Sequence, residues 1–212
     1  MIAPADVVDA LHAVGHRRRF ARREVLFHEG DPADSFHLVL KGRVAVRVAT
    51  SLGTSVTLDV VNVGEIIGEL AVLAPGPRSA SVAALEPVET LSVAAGSLAE
   101  LRAAAPHVLD HLVTVLVERN RQLAARLAEA TSISAEVRVL RRLLEVARMY
   151  EQAPDEAVVV PLTQDDLAGL AATTRETVNR VLRREEDAGS LALQRGRISV
   201  LDVLALHRRA GA

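Results

Sequence analysis

Hydrophobic and polar residues alternate in short runs between residues 25 and 93. The apolar members of these runs are Val25 and Phe27; Phe36, Leu38 and Leu40; Val44, Val46 and Val48; and Val56, Leu58 and Val60. A period of two is typical of half-buried strands. Glycines separate the runs at Gly30, Gly42, Gly53 and Gly64, where turns often need a positive φ. The pattern predicts a small antiparallel barrel or roll, with a helical interruption near Gly68.

The period changes to seven after Pro106. One seam position holds Leu109, Leu116, Leu123 and Ala130, and the other holds Val113, Asn120 and Leu127. This spacing predicts a long helix over residues 107–129 that pairs with a second copy as a coiled coil. A single amphipathic helix lying on its own roll is the alternative, and Leu112 suits that packing. Asn120 favours pairing, because a lone polar seam residue fixes register at a cost in stability.

A boundary is expected at residues 131–134, where small hydroxyl residues interrupt the heptads and one of them can cap the next helix. It is a candidate hinge. Residues 150–157 form a polar connection before the strand-like run 158–162.

Two short helices are predicted next. Thr163 with Asp166, and Thr173 with Glu176, each fit the spacing of a capping box. The helices have apolar faces that can pack as a helix-turn-helix, formed by Leu167 and Leu170 and by Val178, Val181 and Leu182. Two strand-like runs around residues 195–197 then predict a hairpin wing.

Four polar residues share one face near the start of the second helix: Arg175, Glu176, Asn179 and Arg180. Such a face suits the major groove, since arginine can bond guanine O6 and N7 while a carboxylate accepts from cytosine N4. The competing interpretation is a Glu176–Arg180 ion pair on a solvated helix.

Composition narrows the function classes. The chain has 212 residues and a net charge of −2, so any contact with nucleic acid must be local. It has no cysteine, which excludes disulfides and thiol nucleophiles. No apolar run is long enough for a membrane span and the N-terminus lacks a secretory pattern, so we expect a cytoplasmic protein without a membrane partner.

Candidate chemistry is sparse. We find no catalytic motif, and Asp165 and Asp166 are explained as charges that favour a helix start, so we expect no enzyme. His107 and His111 stand four residues apart but lack a third ligand, so we interpret them as a solvated pair and expect no metal site.

Glu69 and Arg78 flank a turn in the apolar stretch GELAVLAPGPRSASV. Arg78 can offer a rigid fork of donors to a phosphate, Ser79 adds a hydroxyl, and backbone N–H groups at Gly68 and Leu70 can approach closely. Glu69 can accept from a sugar hydroxyl. From these residues alone, a structural Glu69–Arg78 salt bridge explains the pattern as well as a ligand site.

The motifs GELAVL…PRSA and TRETVNRVL, in this order along nearly the whole chain, resemble the CRP/FNR family of bacterial transcription regulators. The resemblance implies an α+β fold: a cyclic-nucleotide-binding-like β-roll over residues 1–105, a dimerisation helix and hinge over 106–133, and a winged helix-turn-helix over 134–212. It implies that double-stranded DNA and RNA polymerase are partners. The effector would be a cyclic nucleotide, with no covalent cofactor.

The resemblance also assigns roles to residues. Gly68, Glu69, Leu70, Arg78 and Ser79 would hold the sugar and phosphate. Arg175, Glu176 and Arg180 would read a TGTGA-like half-site, and Thr163, Thr174 and Asn179 would lie at the same interface. In the turn between the two helices, Ala172 stands where the family usually has glycine, so a positive φ there would be strained.

The base end of the pocket departs from the cyclic-AMP pattern. Members that respond to cyclic AMP contact adenine through adjacent hydroxyl residues, but the matching positions here are Leu123 and Ala124. An unpaired buried polar group costs about 1–3 kcal/mol, so adenine would bind more weakly unless water, Asn120 or Gln122 substitutes. Cyclic AMP is favoured, and cyclic GMP, a cyclic dinucleotide or no effector stay open. So do haem ligation by His12, His16, His28 or His37, and a nucleotide-binding subunit that does not contact DNA.

Overall fold

A computed structural model of the chain describes residues 1–51, 53–74, 76–151 and 157–211. Its contacts separate two units, one of residues 1–49 with 59–124 and the other of residues 50–58 with 125–212. The three-part division at residues 105 and 133 rests on sequence pattern and stays a prediction.

Two antiparallel sheets form a roll that belongs to the first unit, except for residues 55–58 of β5, which the contacts assign to the second unit. Within the described residues, one sheet has the order β1-β8-β3-β6 and the other β2-β7-β4-β5. Their strands are β1 (His16–Phe20), β2 (Val25–Phe27), β3 (Ser35–Lys41), β4 (Val44–Ala49), β5 (Ser55–Val61), β6 (Ile66–Ile67), β7 (Ser81–Ala84) and β8 (Val88–Ala94). The predicted roll is confirmed. Gly30, Gly42, Gly53 and Gly64 all have positive φ, as the turns require.

Helices cover this roll. They are α1 (Ala5–Val14), α2 (Leu70–Leu73), a 3₁₀ turn (Ala95–Ser97), α3 (Leu98–Ala104) and α4 (Pro106–Ser132). Leu11 of α1 and Leu112 of α4 are fully buried against Phe36, Leu38 and Leu91 of the sheet. α2 and α4 were predicted from the sequence, whereas α1, α3 and β1 were not.

The two interpretations of α4 apply to different parts of it. Val108, Leu112 and Val115 are buried, so the first half packs on the roll as the single-helix alternative proposed. The seam residues farther along are exposed, by 52% at Val113, 55% at Leu123 and 70% at Leu127. The solvated-pair interpretation is wrong for His111, which is only 9% exposed, because it lies on the face of α4 that meets the roll.

The second unit contains α5 (Ala135–Tyr150), β9 (Val158–Val160), α6 (Gln164–Leu170), α7 (Arg175–Asp187), β10 (Leu191–Gln194), β11 (Arg197–Val200) and α8 (Val203–Arg209). In the described residues its sheet has the order β10-β11-β9. Leu191 pairs with Val200 and Gln194 with Arg197, which confirms the hairpin wing. Of the polar connection predicted at 150–157, residues 152–156 lie outside the described residues.

Side-chain caps fix where these helices begin. Ser134 accepts from Val137 N at the start of α5, so a hydroxyl of the predicted boundary does cap the next helix. The capping box of Thr163 and Asp166 at α6 is confirmed. The box predicted for Thr173 and Glu176 is wrong by one residue, because α7 is capped by Thr174, whose hydroxyl accepts from Thr177 N.

None of the helices in the described part of the chain combines the length and apolar character needed to cross a membrane.

Candidate functional site

The stretch around Gly68 forms a tight turn between β6 and α2. Gly68 has a φ of +77°, and a Cβ there would lie 2.8 Å from Arg78 Nη1. Glycine is therefore required both by the backbone conformation and by the approach of the arginine. Glu69 follows directly and is 2% exposed, while Arg78 is 5% exposed.

Arg78 is held by the turn that precedes β3. Its Nη1 donates to the Ser35 carbonyl at 2.6 Å, and its Nη2 donates to Ser35 Oγ at 3.1 Å and to Asp34 Oδ1 at 3.4 Å. The guanidinium carbon also lies 4.0 Å from the centre of the Phe27 ring. Burial lowers the pKa of Arg78 from its usual value. The arginine is thus fixed with its charge inside the roll.

Glu69 is paired with a residue of α4. Arg119 Nη1 donates to Glu69 Oε1 at 2.5 Å, and its Nη2 donates to the Ile66 carbonyl at 2.7 Å. The Glu69–Arg78 salt bridge considered from the sequence is wrong, since Arg119 and Asp34 are the respective ion-pair partners. Arg119 was missed, although it stands one helical turn before Leu123 and therefore on the same side of α4.

Glu69 and Arg78 each have one buried polar atom without a hydrogen-bond partner among the described residues. These atoms are Glu69 Oε2 and Arg78 Nε. One is an acceptor that needs a donor, and the other is a donor that needs an acceptor. Leaving such groups unpaired costs about 1–3 kcal/mol each, and more for charged ones. A ligand carrying both a hydroxyl and an anionic oxygen would satisfy both.

A cleft opens beside Arg119. It is lined by Met1, Asp59, Glu65, Ile66, Val115, Glu118, Arg119 and Gln122. Of the proposed base contacts, the structure therefore brings Gln122 to the cleft. Leu123, Ala124 and Asn120 are exposed, and within the described residues none of them lines it. Leu70 and Ser79 are also exposed.

The four histidines considered for haem are not equivalent. His37 is buried, with its Nδ1 3.1 Å from Thr90 Oγ1 and its ring facing Phe20 and Phe27. Burial, followed by the charges of Arg78 and Arg18, lowers its pKa to about 4. His12, His16 and His28 are exposed. The structure thus places one of the four inside the roll and gives it a hydrogen-bond partner there.

A second site lies on α6 and α7. Asn179 of α7 accepts from Gln164 Nε2 of α6 at 3.3 Å, so the two helices are joined on their polar side. Val178, Val181 and Leu182 are buried on the other side, as are Leu167 and Leu170. This arrangement confirms the predicted packing and leaves the polar face exposed.

The face consists of Arg175, Glu176, Asn179 and Arg180, all exposed. Arg175 Nη1 is 3.4 Å from Asp165 Oδ2, and Arg180 Nη2 is 3.7 Å from Glu136 Oε1. Arg180 thus pairs with α5, in contrast to the Glu176–Arg180 pair considered from the sequence. Thr163 and Thr174 cap α6 and α7 and are exposed at the same ends.

The turn between α6 and α7 carries local strain. Ala172 has a φ of +48°, in the left-handed region that disfavours a Cβ. Arg138 stabilises this turn by donating to the Ala171 carbonyl at 2.9 Å and to the Ala172 carbonyl at 3.0 Å. It also donates to the Ile133 carbonyl at 2.5 Å. The turn is therefore attached to the residues just after α4.

Comparison with known proteins finds two family models that match the chain. Residues 17–105 match the cyclic nucleotide-binding domain, and residues 137–209 match the Crp-like helix-turn-helix domain. A cyclic AMP receptor protein of Thermus thermophilus is 30% identical over 209 residues, which cover 99% of this chain and 94% of that protein. The chain belongs to the CRP/FNR family.

Other CRP/FNR relatives span a similar length. A CRP-like cAMP-activated global transcriptional regulator of Mycobacterium tuberculosis is 29% identical over 193 residues, covering 90% of this chain and 86% of that protein. A solved CRP-family regulator of Thermus thermophilus has a TM-score of 0.78 at 26% identity, covering 92% and 97% of the two chains.

A c-di-GMP-responsive regulator of Xanthomonas campestris has a TM-score of 0.79 over 93% of this chain and 99% of its own, but at 20% identity it shows the fold alone. CRP/FNR members are transcription regulators that bind DNA and function as dimers. Proteins named for cyclic AMP are among the relatives, and a protein named for c-di-GMP shares the fold.

Proposed function

We propose that this protein is a dimeric regulator in which a cyclic nucleotide, bound at Glu69 and Arg78, controls binding to a palindromic DNA site. The observation that carries the effector site is the pair of buried, unpartnered atoms Glu69 Oε2 and Arg78 Nε. A cyclic nucleotide supplies a ribose hydroxyl to the first and a phosphate oxygen to the second. Both bonds would be charge-assisted, and such bonds are roughly twice as strong as neutral ones.

The other residues predicted to hold the sugar and phosphate would complete the site. Backbone N–H groups at Gly68 and Leu70 can reach a phosphate because Gly68 has no side chain, and the exposed Ser79 hydroxyl lies next to Arg78 in the chain. Glu69 would accept hydrogen bonds from both Arg119 and the ribose hydroxyl. Because Arg119 lies on α4, this shared acceptor would couple ligand binding to α4. The residues act by binding, and no step of the proposal requires catalysis.

Cyclic AMP is the first candidate for the effector, following the naming of the relatives. Leu123 and Ala124 cannot bond the adenine amine through their side chains, so Gln122 in the cleft is the proposed substitute. The alternative is a regulator on the same scaffold with another effector, a cyclic dinucleotide or haem, or with none. Because Leu123 and Ala124 are exposed, we assign them to the subunit interface or to contact with the ligand bound by the partner subunit.

The DNA contact is assigned to α7. Arg175, Glu176, Asn179 and Arg180 would read bases, while Thr163 and Thr174 would contact the backbone at the helix starts. In the ion pairs of Arg175 and Arg180, the side chains of both partners are exposed. Exposed pairs contribute only about 0–1 kcal/mol, so they can be exchanged for guanine contacts at little cost.

Dimerisation is assigned to α4 over residues 107–129. Val113, Leu123 and Leu127 are exposed on one side of the helix at the predicted seam, and Asn120 lies among them. A two-fold dimer would place its α7 helices in successive major grooves, about 34 Å apart. RNA polymerase is the proposed further partner.

Titration calorimetry of nucleotide-free protein with cyclic AMP and cyclic GMP tests the effector site. We expect saturable binding of one of them and a loss of at least about tenfold in affinity in Arg78→Ala, because a charged hydrogen bond contributes about 1.5–3 kcal/mol. Arg102→Ala, an exposed arginine of α3, is the matched control and should bind normally. If neither nucleotide gives heat, the proposed site for these nucleotides fails, and the protein has another effector or none; a Soret absorption band would identify haem.

A further inference from the structure

A segment far from the helix-turn-helix in sequence takes part in it. Residues 50–58, which include the first part of β5, group with residues 125–212. Within this unit, Thr57 Oγ1 of β5 donates to Asp166 Oδ1 of α6 at 2.7 Å. Thr57 is 2% exposed and Asp166 5% exposed, so water does not compete for the bond.

Asp166 uses its other oxygen to hold the start of α6. Asp166 Oδ2 accepts from Thr163 N at 3.0 Å and from Thr163 Oγ1 at 2.7 Å. One carboxylate therefore ties β5 to the cap of the helix. A buried carboxylate needs such donors to keep its charge.

Close approach of the two backbones supports the same contact. A Cβ at Gly169 would lie 2.6 Å from Thr57 N and 2.7 Å from Thr57 O. Glycine inside a helix costs about 0.5–1 kcal/mol relative to alanine, so its presence in α6 has a packing reason. That reason is the strand lying directly on α6.

The orientation of α6 determines that of α7. The helices are joined by the short turn at Ala172 and by the bond from Gln164 to Asn179, a member of the exposed polar face. We propose that Thr57 is a positioning residue for DNA recognition: its hydroxyl fixes Asp166 and α6, and through α6 it orients the reading face of α7. This inference uses the DNA binding of the family and does not depend on which effector binds.

Thr57→Val tests the hydroxyl, since valine keeps the shape and removes the donor, and Thr57→Ser is the matched variant that keeps it. The measurement is the ratio of specific to non-specific DNA affinity, with each variant checked by circular dichroism to be folded. We expect Thr57→Val to lower the ratio at least about fivefold and Thr57→Ser to restore it. A ratio in Thr57→Val equal to that of the wild type, or equal losses in both variants, would overturn the proposal.

Gly169→Ala tests the contact independently of the hydroxyl. In a free helix this change raises stability, whereas a strand lying on α6 must be pushed away by the added methyl group. We expect a lower melting temperature together with a lower specific-to-non-specific ratio. A melting temperature and a ratio at or above the wild-type values would show that the strand does not lie on α6 in solution, and the proposal would fail.

Discussion

At the scale of single residues, the roles of Glu69 and Arg78 were predicted but their partners were not. The sequence places an acid and a base around a glycine turn, and the structure buries both. Their ion-pair partners, Arg119 and Asp34, lie 50 and 44 residues away along the chain. No local pattern links residues at such separations, so the sequence could indicate the site without showing what holds it in place.

Ala172 gives the first prediction at this scale. Its φ of +48° is unfavourable for alanine. Glycine would relieve this strain, although the greater flexibility of the unfolded chain would cancel part of the gain in stability. Ala172→Gly should raise the free energy of unfolding by about 0.5–1 kcal/mol. Denaturant unfolding measures this change.

Ala188→Gly is the matched control, since Ala188 is exposed at the end of α7 with a φ of −80°. It should not be stabilising. A destabilised Ala172→Gly would argue against the left-handed turn.

His37 gives a pH dependence. Its pKa is lowered from 6.5 to about 4 in the fold, so the unfolded chain takes up a proton before the native one does. The contribution of neutral His37 to the free energy of unfolding should be complete above pH 6.5. The free energy of unfolding should then fall by up to about 3 kcal/mol as the pH drops from 6.5 to about 4. His111, whose pKa burial also lowers, adds to the loss in the same direction.

Urea unfolding of His37→Gln at several pH values checks this account. The variant should lose a substantial part of the acid sensitivity, whereas His28→Gln, at an exposed histidine, should keep it. Equal slopes in the wild type and His37→Gln would contradict a buried neutral imidazole.

At the scale of elements, strong periodicity decided what could be predicted. The alternating strands and the heptads of α4 repeat over many residues, and both were predicted within a few residues of their bounds. β1 was missed because its sequence is HRRRF, in which only Phe20 is buried. Three consecutive arginines are typical of an exposed loop. The strand forms because it pairs with β8, whose residues lie 68–76 positions away in the chain.

The exposed seam of α4 carries a prediction of its own. Leu127→Lys should weaken self-association at least about tenfold, because a charge would enter an apolar coiled-coil seam. Sedimentation equilibrium measures the association constant. Ala125→Lys, an exposed position on the far side of the helical pattern, adds the same charge and should associate as the wild type does.

At the scale of the whole molecule, the sequence predicts a roll, a long helix and a helix-turn-helix that follow one another along the chain. The contacts instead group residues 50–58, from the first of these parts, with the unit that contains the helix-turn-helix. The family resemblance supplied the order of the parts because the order is recorded along the chain. The grouping was not predictable, since it brings together residues as far apart in the chain as Thr57 and Asp166, which are separated by 109 positions. The capping-box spacing from Thr163 to Asp166 predicted the bond of Asp166 to the start of α6 but not its bond to Thr57.

The most direct test of the central claim is the DNA affinity of the protein with and without cyclic AMP or cyclic GMP, measured by fluorescence anisotropy on a palindromic duplex with TGTGA-like half-sites. We predict tight binding only with the nucleotide and weakening of about 5- to 100-fold in Arg180→Ala, since a bidentate guanine contact discriminates by about 1–3 kcal/mol. Arg208→Ala, at an exposed arginine of α8, should bind as the wild type does. Equal affinity for the palindrome and a scrambled duplex, unchanged by either nucleotide, would contradict the account.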